Sequence, residues 1–352
     1  MKKNKRRLHI LLRIVSALAG GALLILLFRD ADLSLMYSLL MNVGLLLIPV
    51  YAIYAIGCLF DTAAWKLILD TPAKSISFFR LLQVHIAGES MYRFIPAGVV
   101  VGEATKVYLL NKQSRFDGAE IVSSLVLRKL LMGLSQGIYI AIGVFLGIIF
   151  SQHFGMIRLL SVGISISVLL VFAAMGVKLS RGTLFIWLFR LLRNVPYIGP
   201  AVEKKEGFFK ETDLVLKDFF IRKRKQSILA FFLFFLGWLT EAVETFLILA
   251  VLGMSIAPYQ VLMFEPLVSL TRSVAFFIPG GLGVMDSGYV SAFGAAGVIN
   301  AATAGAAFIV IKRSKELFWI VAGLTLLWIQ GGKGVQEVMG EVLRPEIAPE
   351  IV

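Results

Sequence analysis

The sequence predicts an all-α integral membrane protein: a polytopic helical bundle of about six to eight spans, with two broken or re-entrant helical segments in an inverted repeat. Three observations point there. The chain is 58% hydrophobic and only 16% charged over 352 residues, with a mean hydropathy of +0.85, whereas a soluble domain carries roughly 25% charged residues. Several apolar runs reach the roughly 20 residues that a bilayer requires, and they are continuous rather than alternating, which argues against a β-barrel. A Phe-Ile-Pro motif followed by small residues and an acid occurs twice, at 94–103 and at 277–286.

The elements follow in order. The start, MKKNKRRLHILLRIVSALAGGALLILLF, is basic and then apolar, as in a signal peptide. Arg13 interrupts the early run and no small-residue cleavage site follows before RDAD, so an uncleaved first span is expected over about 8–28, with a cytoplasmic N-terminus. A second span covers about 43–66, and Trp65 and Lys66 at its end read as interfacial anchors. Residues 78–110 are less apolar and hold His85, Glu89, Arg93, Pro96, Glu103 and Lys106. A third apolar block runs over about 119–150 with Arg128 and Lys129 inside it, and a fourth over about 156–177. The stretch 178–226 is polar and mostly basic, which predicts a cytoplasmic loop. Within it, LFIWLFRLLRNV either lies on the membrane surface or forms a solvated linker. A fifth span is expected over about 227–252, a second broken, small-residue-rich region over 258–313, and a last span over about 316–332 before a polar tail, 336–352. The whole of 1–352 reads as one membrane domain, with repeat units of about 78–150 and 258–335.

The duplication extends beyond one tripeptide. Pro96 to Glu103 and Pro279 to Asp286 are both seven positions. Arg128 lies 32 positions after Pro96, and Lys312 and Arg313 lie 33 and 34 after Pro279. The spans at about 130–150, 156–177 and 227–252 separate the units, and an odd number of crossings makes them enter from opposite sides. Two basic pairs in opposite orientation cannot both obey the positive-inside rule. At least one must face a polar cavity or a partner acid.

The candidate site grows from the two breaks, Pro96 and Pro279. Proline and glycine break helices, and freed backbone groups at membrane depth must be buried in protein or face a watery cavity. A helix restarting after Gly280, Gly281 and Gly283 aims its first amides there, which suits an anion, with Asp286 in the first turn. The plainer alternative is a kink with close glycine packing. Arg93, Arg128, Arg272 and Arg313 are candidate contacts to an anionic lipid headgroup, because guanidinium binds phosphate bidentately. Glu89, Glu103, Asp286, Glu241 and Glu244 are candidate cavity acids or ion carriers. His85, Glu89 and Arg93 share a helix face, as do Glu265, Ser269 and Arg272, and Trp238, Glu241 and Glu244. The alternative for the whole set is structural ion pairs or side chains that snorkel to water.

Other chemistries find no support. The net charge of +13 sits at the ends of apolar runs and in the central loop, so no nucleic-acid partner is expected. Cys58 is the single cysteine and reads as a small core residue. The three histidines show no metal-ligand spacing, and no metal or other cofactor is expected.

RFIPAGVVVGEATKVYLL and FIPGGLGVMDSGYVSAFGAAGV, each with a basic residue near the end of its unit, resemble the transmembrane region of lysylphosphatidylglycerol synthases over about 10–335. The resemblance implies a flippase-like multi-pass protein of the cell inner membrane, in a stand-alone form without the soluble aminoacyl-transferase domain. It does not carry over a synthase activity. The first motif reads Pro-Ala-Gly where family members often have two glycines. The leading expectation is a lipid translocator moving a phospholipid, polyprenyl or hopanoid lipid between leaflets. The alternatives are a membrane-embedded transferase, or a membrane subunit or scaffold partnered with lipid-biosynthesis proteins.

Overall fold

A computed structural model describes residues 31–71, 74–94, 98–113, 118–150, 181–194, 206–274 and 281–331, with isolated residues between them; of 270–274 it describes the backbone alone. The expected spans at 8–28 and, for the most part, 156–177 lie outside the described residues, as do Pro96, Pro279, Gly280, the side chain of Arg272 and the tail.

Eleven α-helices are present among the described residues: α1 Leu33–Met41, α2 Leu47–Leu69, α3 Phe78–Phe94, α4 Gly98–Gln113, α5 Gly118–Phe150, α6 Leu184–Arg193, α7 Glu206–Arg222, α8 Arg224–Val251, α9 Pro258–Val274, α10 Val284–Ala295 and α11 Ala301–Gly331. The first begins where the Asp32 carboxylate accepts the amides of Ser34 and Leu35 at 2.9 and 3.0 Å, a side-chain cap. Three of the helical stretches are long and apolar enough to cross a membrane: Gly44–Leu69, Glu120–Phe150 and Arg224–Val251. At about 1.5 Å per residue each reaches a hydrocarbon thickness of about 30 Å. The last helix is longer than its apolar run. A span is expected from about 316, yet α11 starts at Ala301 and runs straight through Lys312, Arg313, Lys315 and Glu316. Those charges are paired inside the bundle, so they do not interrupt the helix.

The described helices end and restart on either side of both motifs. The first helix of one hairpin ends at Phe94 and its partner begins at Gly98. The second hairpin parts between Val274 and Val284, and Gly281 and Gly283 there take φ of 63° and 78°, backbone that side chains with a Cβ disfavour. In the first hairpin α3 and α4 approach so closely that a Cβ on Gly102 would lie 2.6 Å from the Gly88 carbonyl oxygen.

Packing pairs the two halves of the chain reciprocally. Helices α2 and α8 run antiparallel along each other: Gly57 sits against Thr240 and Asp61 against Gly237. Helix α3 packs on α11, where Ser90 donates to the Trp319 carbonyl at 3.0 Å and Gln330 reaches Gln83 at 2.9 Å. In exchange α9 packs on α5, where Gly143 meets Pro266 and Gln136 donates to Ser269 at 3.2 Å. Each half thus offers one long helix to the hairpin of the other.

Two readings of single elements change. Trp65 is fully buried, with its indole N–H on Ser124 Oγ at 3.1 Å, and packs in a core cluster with Leu81, Val84 and Leu109. It is a core residue rather than an interfacial anchor; an aromatic at the end of an apolar run fits either place by sequence. Residues 184–193 form a true helix whose first amides, on Phe185 and Ile186, are accepted by the Asp213 carboxylate of α7 at 2.8 Å. Leu184 and Phe189 are buried against that partner while Trp187 and Leu191 stay exposed, as in an interfacial helix.

Candidate functional site

A membrane bundle tolerates ionisable side chains only where they pair or face water. Here they gather into two clusters, one in each half.

In the first half, Glu103 of α4 accepts from Lys129 at 2.8 Å and from Lys106 at 3.1 Å. Lys106 also donates to Glu89 at 2.9 Å. Arg128, with no exposed surface, lies 3.6 Å from Asp61, 3.7 Å from Glu89 and 3.6 Å from Glu103. A ring nitrogen of His85 is 3.4 Å from its guanidinium. The carboxylates come from α2, α3 and α4, so this arginine ties three helices to α5.

In the second half, Asp286 accepts Arg313 Nη2 on both oxygens at 2.8 Å and takes the Gly283 amide at 2.8 Å. The chain's own carboxylate thereby caps α10. Lys315 donates to Glu244 at 2.6 Å, and Lys312 lies 3.5 Å from the same acid. Lys312 also donates to the Tyr289 hydroxyl at 2.7 Å, which in turn donates to Glu265 at 2.7 Å; Thr245 donates to the other Glu265 oxygen at 2.8 Å. The acid on the second helix of each hairpin thus binds a base on the long helix of its own half, Glu103 with Lys129 and Asp286 with Arg313. Both duplicated basic pairs meet acids inside the protein, so neither has to satisfy the positive-inside rule.

Between the clusters lies a cavity of about 550 Å³. Of the residues expected from sequence, Glu89, Arg93, Glu241 and Glu244 line it. Arg128, Glu103 and Arg313 stand one layer back, in contact with lining residues, and Asp286 stands behind Arg313. Gly281 and Gly283 form the turn before α10 and are not among the lining residues. The walls also hold Asp61, Lys129, Lys312, Lys315 and Glu316, with Tyr54, Phe234 and Trp238 as apolar surface. Arg93 crosses between halves: its guanidinium stacks over Tyr54 at 5.2 Å and donates to Glu316 of α11 at 3.4 Å. Among the described residues no group of His, Cys, Asp and Glu side chains is arranged to hold a metal ion.

Asp61, Lys315, Glu316 and Tyr54 went unread in the sequence. Asp61 had a signal, as a lone acid inside the apolar run 43–66. Lys315 and Glu316 had one in the charge run KRSKE, which lies where the last span is expected to begin. Tyr54 had none, because a tyrosine in an apolar helix is ordinary.

A mixed-charge cavity inside an apolar bundle can accept a polar group while keeping it from hydrocarbon. A family model described as lysylphosphatidylglycerol synthase TM region matches residues 10–323. No curated protein matches the chain, and no solved structure does.

Proposed function

This chain belongs to the lysylphosphatidylglycerol synthase TM-region family, a multi-pass membrane family concerned with lipid, and from that premise we propose that it is a lipid translocator. The observation that carries the reading is the cavity. It lies between two halves that pack on each other reciprocally, and it is lined by charges of both signs beside aromatic surface. A lipid headgroup crossing a bilayer needs such a path, because its unscreened charge costs many kcal/mol in hydrocarbon.

In this reading Arg93, Lys312 and Lys315 meet the phosphate of an anionic headgroup, while Glu89, Glu241 and Glu244 accept from its hydroxyl or amine donors. Arg128, Glu103 and Asp286 hold those residues in place from behind, and Arg313 lies behind Glu316, which stands between it and the cavity. Arg272, Pro96, Pro279 and Gly280 belong to the same proposal on their sequence positions. The antiparallel run of α2 against α8 supports an inverted repeat, and the helix boundaries at 94–98 and 274–284 support two re-entrant hairpins entering from opposite faces. The basic N-terminus and the basic loop 178–226 support a cell inner membrane protein with its N-terminus in the cytoplasm.

Reconstitution tests this. In vesicles containing the protein, a fluorescent phosphatidylglycerol in the inner leaflet should lose its protection from an impermeant quencher faster than in protein-free vesicles, and Arg93→Gln should slow that exchange several-fold. Unchanged exchange across phosphatidylglycerol, phosphatidylethanolamine and a polyprenyl phosphate would sink the proposal.

A further inference from the structure

Two arginines from the two halves of the molecule converge on one carboxylate. Arg93 Nη1 donates to Glu316 Oε1 at 3.4 Å and Arg313 Nη1 donates to Glu316 Oε2 at 2.6 Å. Arg93 is presented edge-on by its stack over Tyr54, whose ring also carries the Lys315 ammonium at 5.1 Å and leans on Trp319 at 5.1 Å. Two guanidinium groups gripping the two oxygens of one anion is the geometry of a phosphate clamp.

Glu316 is a carboxylate partner of Arg93, but for Arg313 it is a second one, and the helix frame does not require it. Arg313 already places its other amino group on both oxygens of Asp286. In the first half, the position three residues after Lys129 is Met132, as Glu316 is three after Arg313, and that methionine lines the same cavity. Glu316 itself lines the cavity, so its side chain has space beside it to swing into.

We infer that Glu316 is a resident competitor of the anion site: its carboxylate occupies the Arg93–Arg313 clamp until the phosphate of a bound lipid displaces it. This rests on the lipid-handling reading above and adds how the site loads and unloads. Displacement exchanges one anion for another between the same arginines, so the clamp never stands empty in a low-dielectric place. Return of the carboxylate then expels the headgroup. A clamp without its competitor would bind phosphate better and release it worse.

The test uses the full chain, delipidated in detergent and titrated with dioctanoyl phosphatidylglycerol by native mass spectrometry. Dioctanoylglycerol serves as the phosphate-free control and inorganic phosphate as a competitor. Glu316→Gln, nearly isosteric, should bind the phospholipid roughly tenfold more tightly while leaflet exchange in vesicles slows; a merely structural role would weaken binding as well as exchange. Glu316→Asp keeps the charge and shortens the reach, and should fall between; it stands in if the glutamine variant does not fold. Competition by inorganic phosphate assigns the clamp to the phosphate group alone, and its absence assigns it to the lipid phosphodiester; either agrees with the inference. Equal or weaker binding by Glu316→Gln, with wild type binding normally, overturns the competitor and leaves translocation standing. Binding of the phospholipid by neither protein overturns both.

Discussion

Single side chains in this protein are governed by whether a partner satisfies them. Asp286 holds Arg313 through two contacts and the Gly283 amide through a third, all at 2.8 Å. Removing one member of a buried pair strands the other, a loss of about 3–5 kcal/mol. Asp286→Asn should therefore lower the thermal midpoint measured in detergent markedly, and pairing it with Arg313→Gln should recover part of the loss. An unchanged midpoint in the single variant would show that the pair does not hold α10. Trp65 separates two ideas of its place. As a core residue bonded to Ser124, its change to Ala should cost about 3–5 kcal/mol. As an anchor at the interface it would cost far less, so the measured midpoint decides between them.

At the scale of elements, the hairpins are shaped by glycine for two different reasons. Gly102 is a matter of space, because a methyl group there meets the Gly88 carbonyl oxygen at 2.6 Å. Gly102→Ala should force α3 and α4 apart and destabilise by about 1–3 kcal/mol, and it should shift the cavity wall that Glu89 contributes. Gly283 is a matter of backbone, at φ 78°. Gly283→Ala should cost of order 1–3 kcal/mol through strain alone. Protease protection of the α9–α10 hairpin should fall with the second change and not with the first. Gly281 and Gly283, both at positive φ, set how the chain enters α10.

At the scale of the whole molecule, the reciprocal exchange of hairpins makes a topological prediction. The start of α2 lies at the same end of the bundle as the end of α8, because the two helices run antiparallel, with Val50 in the same core cluster as Ile248 and Leu249. Single cysteines at Leu46 and Gly253, in a Cys58→Ala background, should therefore react with an impermeant maleimide from the same face of sealed vesicles. Labelling from opposite faces would break the inverted arrangement on which the proposed function leans.

The membrane class and the recurring acid and base positions were legible in the sequence, because hydropathy and fixed spacing are local properties of a chain. It also placed Arg93, Glu89, Glu241 and Glu244 among the candidates that line the cavity. Only the tertiary structure decided which charges meet. The sequence put Glu89 and Arg93 on one helix face, whereas Glu89 accepts from Lys106 of the neighbouring helix and Arg93 reaches Glu316 across the halves. It ended the last polar region before 316, whereas α11 carries that charge run through the bundle. The physical reason is the same in both cases. A charge inside a membrane protein is tolerated through its partners, and the partner, 17 residues away for Glu89 and Lys106 or 223 for Arg93 and Glu316, is chosen by packing, which no local pattern encodes.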